Sequence, residues 1–344
     1  MVSWLIQAGL LLLSFMVPLV LLLLAFPPFL RYLSRAGWVS DDAHKTPPTK
    51  VPEPVGPILF IAILAGELIV AAGYGSLVPL ALIAGAGVAF AIGLADDVYV
   101  LGGVTKPLLL LVAGLGFVGF VAVAPSLYRP ALTFPLLGDT SPHFIIYTVL
   151  AVIAFPVVTN AFNMMDAFNG EISWFTLLTS LALLVGVVLH EAMTSASSSA
   201  KVASVLPLVA VSAGFLVYNR YPARAFDGDS GSLMFGAMFA GLAITSGVEI
   251  AAMIAIVPAI LNSFYTLSSV RGFVERRKMA SRPTFVGQDG LLHASTDKDA
   301  PNTLVRLVLL ASPLSEKELV RDIVILTAAA SLFSVAISVL TWVY

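Results

Sequence analysis

SLVPLALIAGAGVAFAIGLA, residues 76–95, decides the fold. These twenty residues carry no charge, and a helix of that length rises about 30 Å, the thickness of a bilayer's hydrocarbon core. The run ends abruptly on the acidic pair Asp96-Asp97. A second run of the same kind, AGLLLLSFMVPLVLLLLAFPPFL at 8–30, is too long for a signal-peptide core. It has no clean small-residue cleavage site before polar sequence, so it reads as a retained span. Similar apolar stretches lie near 55–75, 77–95, 106–124, 143–162, 172–189, 203–218, 231–247, 250–270 and 322–343. The expected fold is all-α: a polytopic integral membrane protein of about ten transmembrane helices. It forms one transmembrane domain over 1–344, with longer polar loops at 31–54 and 271–321. Pro18, Pro156 and Pro258 fall inside spans and predict kinks packed against neighbours. Ser195 and Ser197–Ser199 read as a short flexible linker.

Composition supports the same class. The chain of 344 residues is 59% hydrophobic and 11% charged, against about 25% charged in soluble domains. So few charges cannot cover a water-exposed surface. There is no cysteine, which excludes disulfides, thiolate zinc sites and a cysteine nucleophile. The four histidines lie far apart without zinc spacing, and the net charge of −2 gives no signal for nucleic acid.

The few charges are strongly sided. With loop 31–54 taken as cytoplasmic, that side holds sixteen of the 18 Lys and Arg residues, leaving Arg129 and Lys201 opposite. This is the positive-inside pattern, and both termini then face outward. Sixteen of the 20 Asp and Glu residues fall on the same side, which topology does not require. Something on that face uses carboxylates.

Five stretches there carry the candidate chemistry. In GLADDVYVLGGVTK, 93–106, Asp96 and Asp97 repel one another unless protonated or paired with a cation, and Mg2+ is a natural partner. Lys106 is placed to neutralise a phosphate; the plain alternative is two solvated acids and a snorkelling lysine. In NAFNMMDAFNG, 160–170, Asn160, Asn163, Asp166 and Asn169 recur every three residues, which predicts one polar helix face lining a cavity or an interhelical seam. In FDGDSGSLMFG, 226–236, Gly228 and Gly231 permit tight backbone and Asp229 is a candidate metal ligand. Ser230 and Ser232 open the next helix as N-caps or phosphate contacts, although such a turn alone is a weak signal. The loop SDDAHKTPPTKVPEPVG, 40–56, offers Lys45, Lys50 and Glu53, and reads equally as a basic linker beside anionic lipid. In 271–292, Arg276, Arg277, Lys278 and Arg282 either bind a diphosphate or fix topology. Carboxylates, asparagine and cations gathered at one face suit phosphoryl transfer, in which a metal and cations neutralise developing charge.

Across nearly the whole chain the pattern resembles the polyprenyl-phosphate N-acetylhexosamine-1-phosphate transferase family, glycosyltransferase family 4. The resemblance rests on D-x-H-K-T with VPEPVG over 42–56, Asp97 followed nine residues later by Lys106, NAFNMMDAFNG, and GDSGS. Asn169-Gly170 and the tail PNTLVRLVLLASPLSEKEL, 301–319, look closest to the eukaryotic and archaeal branch that loads N-acetylglucosamine phosphate onto dolichyl phosphate. The bacterial peptidoglycan branch carries a histidine cluster in its last cytoplasmic loop, where this chain has only His293. The resemblance implies ten helices, Mg2+ or Mn2+, a UDP-amino-sugar donor and a dolichyl or other polyprenyl phosphate acceptor in the bilayer. A homodimer is a further expectation. Release of UMP would form the first lipid-linked sugar diphosphate of a pathway such as N-glycosylation. The enzyme would sit in the plasma membrane of a prokaryote, archaeal by the branch, or in the endoplasmic reticulum.

Residue by residue, Asp96, Asp97 and Lys106 look catalytic, and Asn163 and Asp229 look like metal ligands. Lys45, Glu53, Asn160, Asp166, Asn169, Ser230 and Arg282 look like substrate contacts. The eukaryotic Arg-His-Arg sugar-recognition cluster is represented here by Arg282 alone. Two alternatives are an ion-coupled transporter of an anionic solute, which Glu67 within a span would suit, and a bacterial-type undecaprenyl-phosphate transferase.

Overall fold

Apolar runs about twenty residues long fold as helices because a helix satisfies its own backbone hydrogen bonds where no water is present. The computed structural model describes residues 2–45, 47–123, 131–135, 138–194, 199–272 and 281–342. Its helices are α1 (Val2–Ala36), α2 (Gly56–Tyr74), α3 (Val78–Tyr99), α4 (Thr105–Val123), α5 (Phe144–Asn163), α6 (Glu171–Met193), α7 (Ser199–Asn219), α8 (Gly228–Ser246), α9 (Glu249–Ala255), α10 (Val257–Val270), α11 (Leu304–Leu309) and α12 (Glu316–Trp342). Among the described residues seven are long and apolar enough to cross a membrane, and the bent pair α9–α10 makes an eighth candidate. The protein is a polytopic, mainly helical membrane protein. The described apolar part of α4, Thr105–Val121, is shorter.

Three departures from the expected spans have physical causes. The stretch at 250–270 is not one kinked span: α9 and α10 meet at Ile256 with a 66° bend. Pro258 sits in the first turn of α10, where its missing N–H costs nothing, and so marks a helix start rather than a kink inside one. At 35 residues, α1 is roughly 52 Å long and carries Arg31 and Arg35 well beyond the hydrocarbon. α8, expected as an ordinary span, falls below the membrane-crossing threshold by composition. Every residue of α8 except Asp229 is buried, so it is the central post of the bundle and needs no lipid-facing surface.

Small residues let helices close around that post. A side chain on Gly93 would lie 2.5 Å from Ser230 Cα, and one on Gly236 would lie 2.6 Å from Thr159 Cα. α3 and α5 therefore touch α8 backbone to backbone, as interfaces rich in small residues allow. Phe117, Phe155, Phe162, Phe175, Phe215, Phe235 and Phe239 fill the remaining core.

Loops contribute three short antiparallel hairpins that the helical reading did not anticipate. β1 (Val39–Asp42) pairs with β2 (Thr49–Pro52), β3 (Leu132–Phe134) with β4 (Gly138–Thr140), and β5 (Thr284–Val286) with β6 (Leu292–Ala294). The first hairpin continues into Pro52–Gly56, which is stitched to the start of α8. Phe226 N donates to Pro52 O at 3.0 Å, Val55 N to Phe226 O at 3.0 Å, and Gly56 N to Asp227 O at 3.1 Å. The end of α1 and the start of α12 thus lie at the same end of the bundle as the start of α8; toward the other end, Gln7 of α1 meets Tyr74 and Trp342 of α12 meets His190. Ser195 and Ser197–Ser198 of the expected linker lie outside the described residues, and Ser199 opens α7.

Candidate active site

Four helix ends converge. α3 supplies Asp96 and Asp97 from its last turn, α4 supplies Lys106 from its first, α5 ends on Asn163, and α8 opens on Gly228-Asp229. Lys106 Nζ lies 2.5 Å from Asp96 Oδ2 and 2.6 Å from Asp229 Oδ2, one ammonium shared by two carboxylates. Asn163 Nδ2 donates to the other oxygen of Asp229 and, at 2.9 Å, to Ser232 Oγ.

The adjacent aspartates are divided between two tasks. Asp96 faces Lys106 and with its second oxygen accepts the Leu101 N–H. Asp97 accepts the N–H groups of Asp229, at 2.7 Å, and Ser230, at 3.1 Å. It therefore caps α8 from a neighbouring helix, satisfying donors that a helix start leaves open and meeting the positive end of its dipole. Asp227, at the N-cap position itself, makes no side-chain cap. Gly228 is required by this arrangement. Its φ is +69°, and a Cβ would lie 2.8 Å from Asp97 Oδ1 and 2.7 Å from Pro54 Cβ.

Asp227 is a residue that sequence reasoning missed, although it stands inside the quoted FDGDSG stretch. It is fully buried, and among the described residues neither carboxyl oxygen has a hydrogen-bond partner. Burial, with Asp166, Glu53 and Asp97 nearby, pushes its carboxyl well above the usual carboxylate range. Such crowding of acids around an unsatisfied buried carboxyl is an environment that a hard cation relieves. Asp229 and the amide oxygen of a turned Asn163 supply the ligand types such a cation takes. On these grounds the residues present fit a divalent metal.

The structure corrects the expectation that Asn160, Asn163, Asp166 and Asn169 share one helix face. α5 ends at Asn163, and Asn262 Nδ2 of α10 takes the carbonyl of Met164 at 2.8 Å just beyond it. Asp166 and Asn169 therefore lie in the following loop. Asn160 turns back on its own helix, donating to Pro156 O at 2.7 Å. Ser230 is buried against Asp227 O at 3.4 Å, and Ser232 bonds back to Gly228 O at 3.2 Å; neither hydroxyl caps α8. Asn169 is buried at a junction, donating from Nδ2 to Asp42 Oδ2 at 2.9 Å and from its backbone N to Glu316 Oε1 at 3.0 Å. Asp42 also pairs with Lys45, whose ammonium lies 5.3 Å from the centre of the Tyr221 ring. Burial alone would raise the Asp42 carboxyl, but the Asn169 and Lys45 contacts hold it below its ordinary value. Glu53 is half-buried near Asp227, and Arg282 is exposed just before β5. Arg276, Arg277 and Lys278 lie outside the described residues. Glu67 is fully buried in α2 beside Ser204 of α7, roughly 16 Å along the helix from Gly56, which meets the start of α8.

A recess of about 480 Å³ runs along α3 toward the cluster, lined by Ala84, Gly87, Ala91 and Ala95 with Leu101 and Leu109. Its last α3 residue, Ala95, adjoins Asp96.

Spanning helices that end in a buried group of carboxylates sharing one lysine define a polytopic membrane protein with a cluster of charged groups at one end of its helix bundle. The chain belongs to glycosyl transferase family 4, which it matches over residues 79–247, from the start of α3 to the end of α8. A phospho-N-acetylmuramoyl-pentapeptide-transferase of Moorella thermoacetica is 32% identical over 264 residues, 73% of this chain and 78% of that protein. A protein of Sulfolobus acidocaldarius, provisionally described as a UDP-N-acetylglucosamine–dolichyl-phosphate N-acetylglucosaminephosphotransferase, is 24% identical over 234 residues. That match covers 67% of this chain and 64% of the relative, a little under two thirds of its length. A glycosyltransferase relative in Methanocaldococcus jannaschii is 27% identical over 279 residues, 81% of each chain.

Proposed function

We propose that the chain transfers N-acetylglucosamine 1-phosphate, or a related amino-sugar phosphate, from a UDP-sugar to dolichyl or another polyprenyl phosphate, with release of UMP. The observation that carries this reading is the single Lys106 ammonium held between Asp96 and Asp229 at the meeting of four helix ends. The activities attributed to the Sulfolobus and Moorella relatives support it as a reaction class.

Lys106 is preorganised by its two carboxylates, so its charge is in place before a phosphate arrives and needs little reorganisation as charge develops. Asp229 and Asn163 would hold Mg2+ or Mn2+, with Asp227 in the same acidic group. When bound, such an ion neutralises diphosphate oxygens. The acceptor phosphate has a second pKa near 6, so at neutral pH it attacks the β-phosphorus largely as the dianion. Asp96 is left to orient it or to take a residual proton. Asp97 fixes the start of α8, and through it Asp229. We favour a single displacement, with the P–O bond to UMP breaking as the bond to the acceptor oxygen forms. The apolar recess along α3, which Val88 and Ile92 also line, would take the first isoprene units, leading them to Asp96 and Lys106. The loops around the site carry the cation excess, which supports a cytoplasmic active face with both termini outward.

The test is purified protein with a panel of UDP-sugars, dolichyl and undecaprenyl phosphates, and Mg2+. Expected are UMP release and label moving from UDP-N-acetylglucosamine into the organic phase, both abolished by chelation or by Asp229→Ala in folded protein. Absence of UMP release with every pair, or unchanged UDP-sugar accumulating in vesicles, overturns the reading.

A further inference from the structure

The geometry points to a second cation site, made of Asp42, His44 and Glu316 and suited to Mn2+ or Zn2+. It shares no residue with the Lys106–Asp229 cluster and does not depend on the reaction proposed above.

Asp42 ends β1, His44 lies in the turn that follows, and Glu316 is the first residue of α12. One ligand atom from each of the three lies within 4.8 Å of the others. Two of the side chains are deeply buried, Asp42 at 2% and Glu316 at 7% exposure. Glu316 Oε1 accepts the Asn169 N–H, but Oε2 is buried and has no hydrogen-bond partner among the described residues. A buried carboxylate oxygen left so is costly, which separates this group from ordinary surface acids.

The distribution of donors shows which atoms are available. Asp42 Oδ2 receives both Lys45 and Asn169, whereas Oδ1 takes a 3.4 Å contact from the His44 N–H. Lys45 is thus ion-paired with Asp42, and Glu316 Oε2 accepts no hydrogen bond among the described residues. The His44 ring is held by stacking on Phe168, with centroids 4.2 Å apart and planes 22° from parallel. A stacked ring is pre-oriented, so it would lose little freedom on ligation. Two carboxylate oxygens and one imidazole nitrogen form a mixed set. The imidazole favours Zn2+ over Mg2+ or Ca2+, which prefer all-oxygen surroundings, and the two carboxylates suit Mn2+. A cation here would tie the β1–β2 hairpin to the start of α12 across Phe168 and Asn169, joining the N-terminal and C-terminal parts of the chain beside the loop that follows α5.

The experiment uses full-length protein in detergent, stripped with chelator and titrated with Mn2+ under electron paramagnetic resonance. It is done in the Asp229→Asn background, so that the other cluster does not contribute. One bound Mn2+ is expected, with nitrogen hyperfine coupling from one imidazole. Glu316→Gln, which retains an oxygen for the Asn169 N–H, should weaken binding about 10–100-fold, since loss of a ligand costs at least as much as loss of an outer partner. His44→Phe keeps the stack on Phe168 and should remove the nitrogen coupling. Zn2+ should raise the unfolding temperature of the parent and not that of either variant. Failure of the Asp229→Asn protein to bind Mn2+ or Zn2+ at millimolar concentration overturns the assignment, as does unchanged binding in His44→Phe. Should Glu316→Gln not fold, the His44→Phe spectrum decides alone. None of these readouts measures sugar-phosphate transfer, so their failure leaves the reaction itself to the UMP assay.

Discussion

Replacing Asp96 and Asp97 separately should divide activity from stability, because these neighbours face different partners. Asp97 holds two backbone N–H groups at the start of α8, at 2.7 and 3.1 Å. Hydrogen bonds to a charged group are each worth about 1.5–3 kcal/mol net. Asp97→Ala therefore forfeits roughly 3–6 kcal/mol, the upper part applying if no water replaces the carboxylate. For a chain of this length that corresponds to a fall in unfolding temperature of roughly 5–10 °C. Asp97→Asn is no conservative change. One oxygen still accepts, but the amide NH2 now faces the second N–H, donor against donor, so about half the loss or more persists. Asp96→Asn differs in kind. Lys106 keeps Asp229 at 2.6 Å, and the one oxygen of the new amide can still accept the Leu101 N–H, so the exchange costs one ion pair rather than two backbone hydrogen bonds. Its unfolding temperature should fall less than that of Asp97→Ala, because Lys106 retains Asp229 and no charge is left buried without a partner.

The assay is thermal unfolding followed by tryptophan fluorescence in one detergent, with UMP release measured on the same preparations. Both variants should lose transfer. The Asp97 variants should unfold earlier, and added Mg2+ with UDP-sugar should recover less of that stability than in the parent, since the start of α8 carries Asp229. Equal unfolding temperatures for Asp96→Asn and Asp97→Ala would refute the division of labour. So would an Asp97→Ala protein with parental stability and no activity, which would make Asp97 a group acting on substrate rather than on the helix.

Gly93→Ala should cost about 1–3 kcal/mol by overpacking, because its methyl would lie 2.5 Å from Ser230 Cα; unfolding temperature and UMP release should fall together, and a fully active variant would mean that α3 need not touch α8. Ala91→Phe fills the recess along α3 and should raise the KM for a long polyprenyl phosphate several-fold while leaving the KM for UDP-sugar unchanged; equal kinetics with long and short acceptors would remove the recess from the acceptor's path. Arg282→Ala, at an exposed position, should leave the unfolding temperature unaltered and raise the KM for UDP-sugar, and an unaltered KM would discard the diphosphate contact expected from sequence. Quenching a reaction after UMP release should leave no sugar phosphate on the protein, whereas a covalent adduct on Asp96 would replace the single displacement with two steps.

What the sequence made legible follows from the solvent. A bilayer fixes the length of a crossing helix, so the apolar runs that gave α2, α3, α5, α6 and α7 could be bounded closely, and the same rule placed the charges at helix ends. It was silent where burial rather than lipid sets composition. α8 reads like a weak span because protein surrounds it on every side, leaving Asp229 alone partly open. It misled at 160–169, where a spacing of three looked helical but the helix stops at Asn163. It could not divide Asp96 from Asp97, since adjacent residues differ only by the turn of the helix and each partner lies on another helix. Nor could it bring Glu316 to Asp42, a contact made by the path of the whole chain. These misses share a cause. Charges kept out of the hydrocarbon collect at helix ends, and helix ends are also where backbone N–H and C=O groups lack partners. The same carboxylates must then meet both needs. In this fold Asp97 serves the backbone of α8 so that Asp229, one residue into that helix, stays held between Lys106 and Asn163.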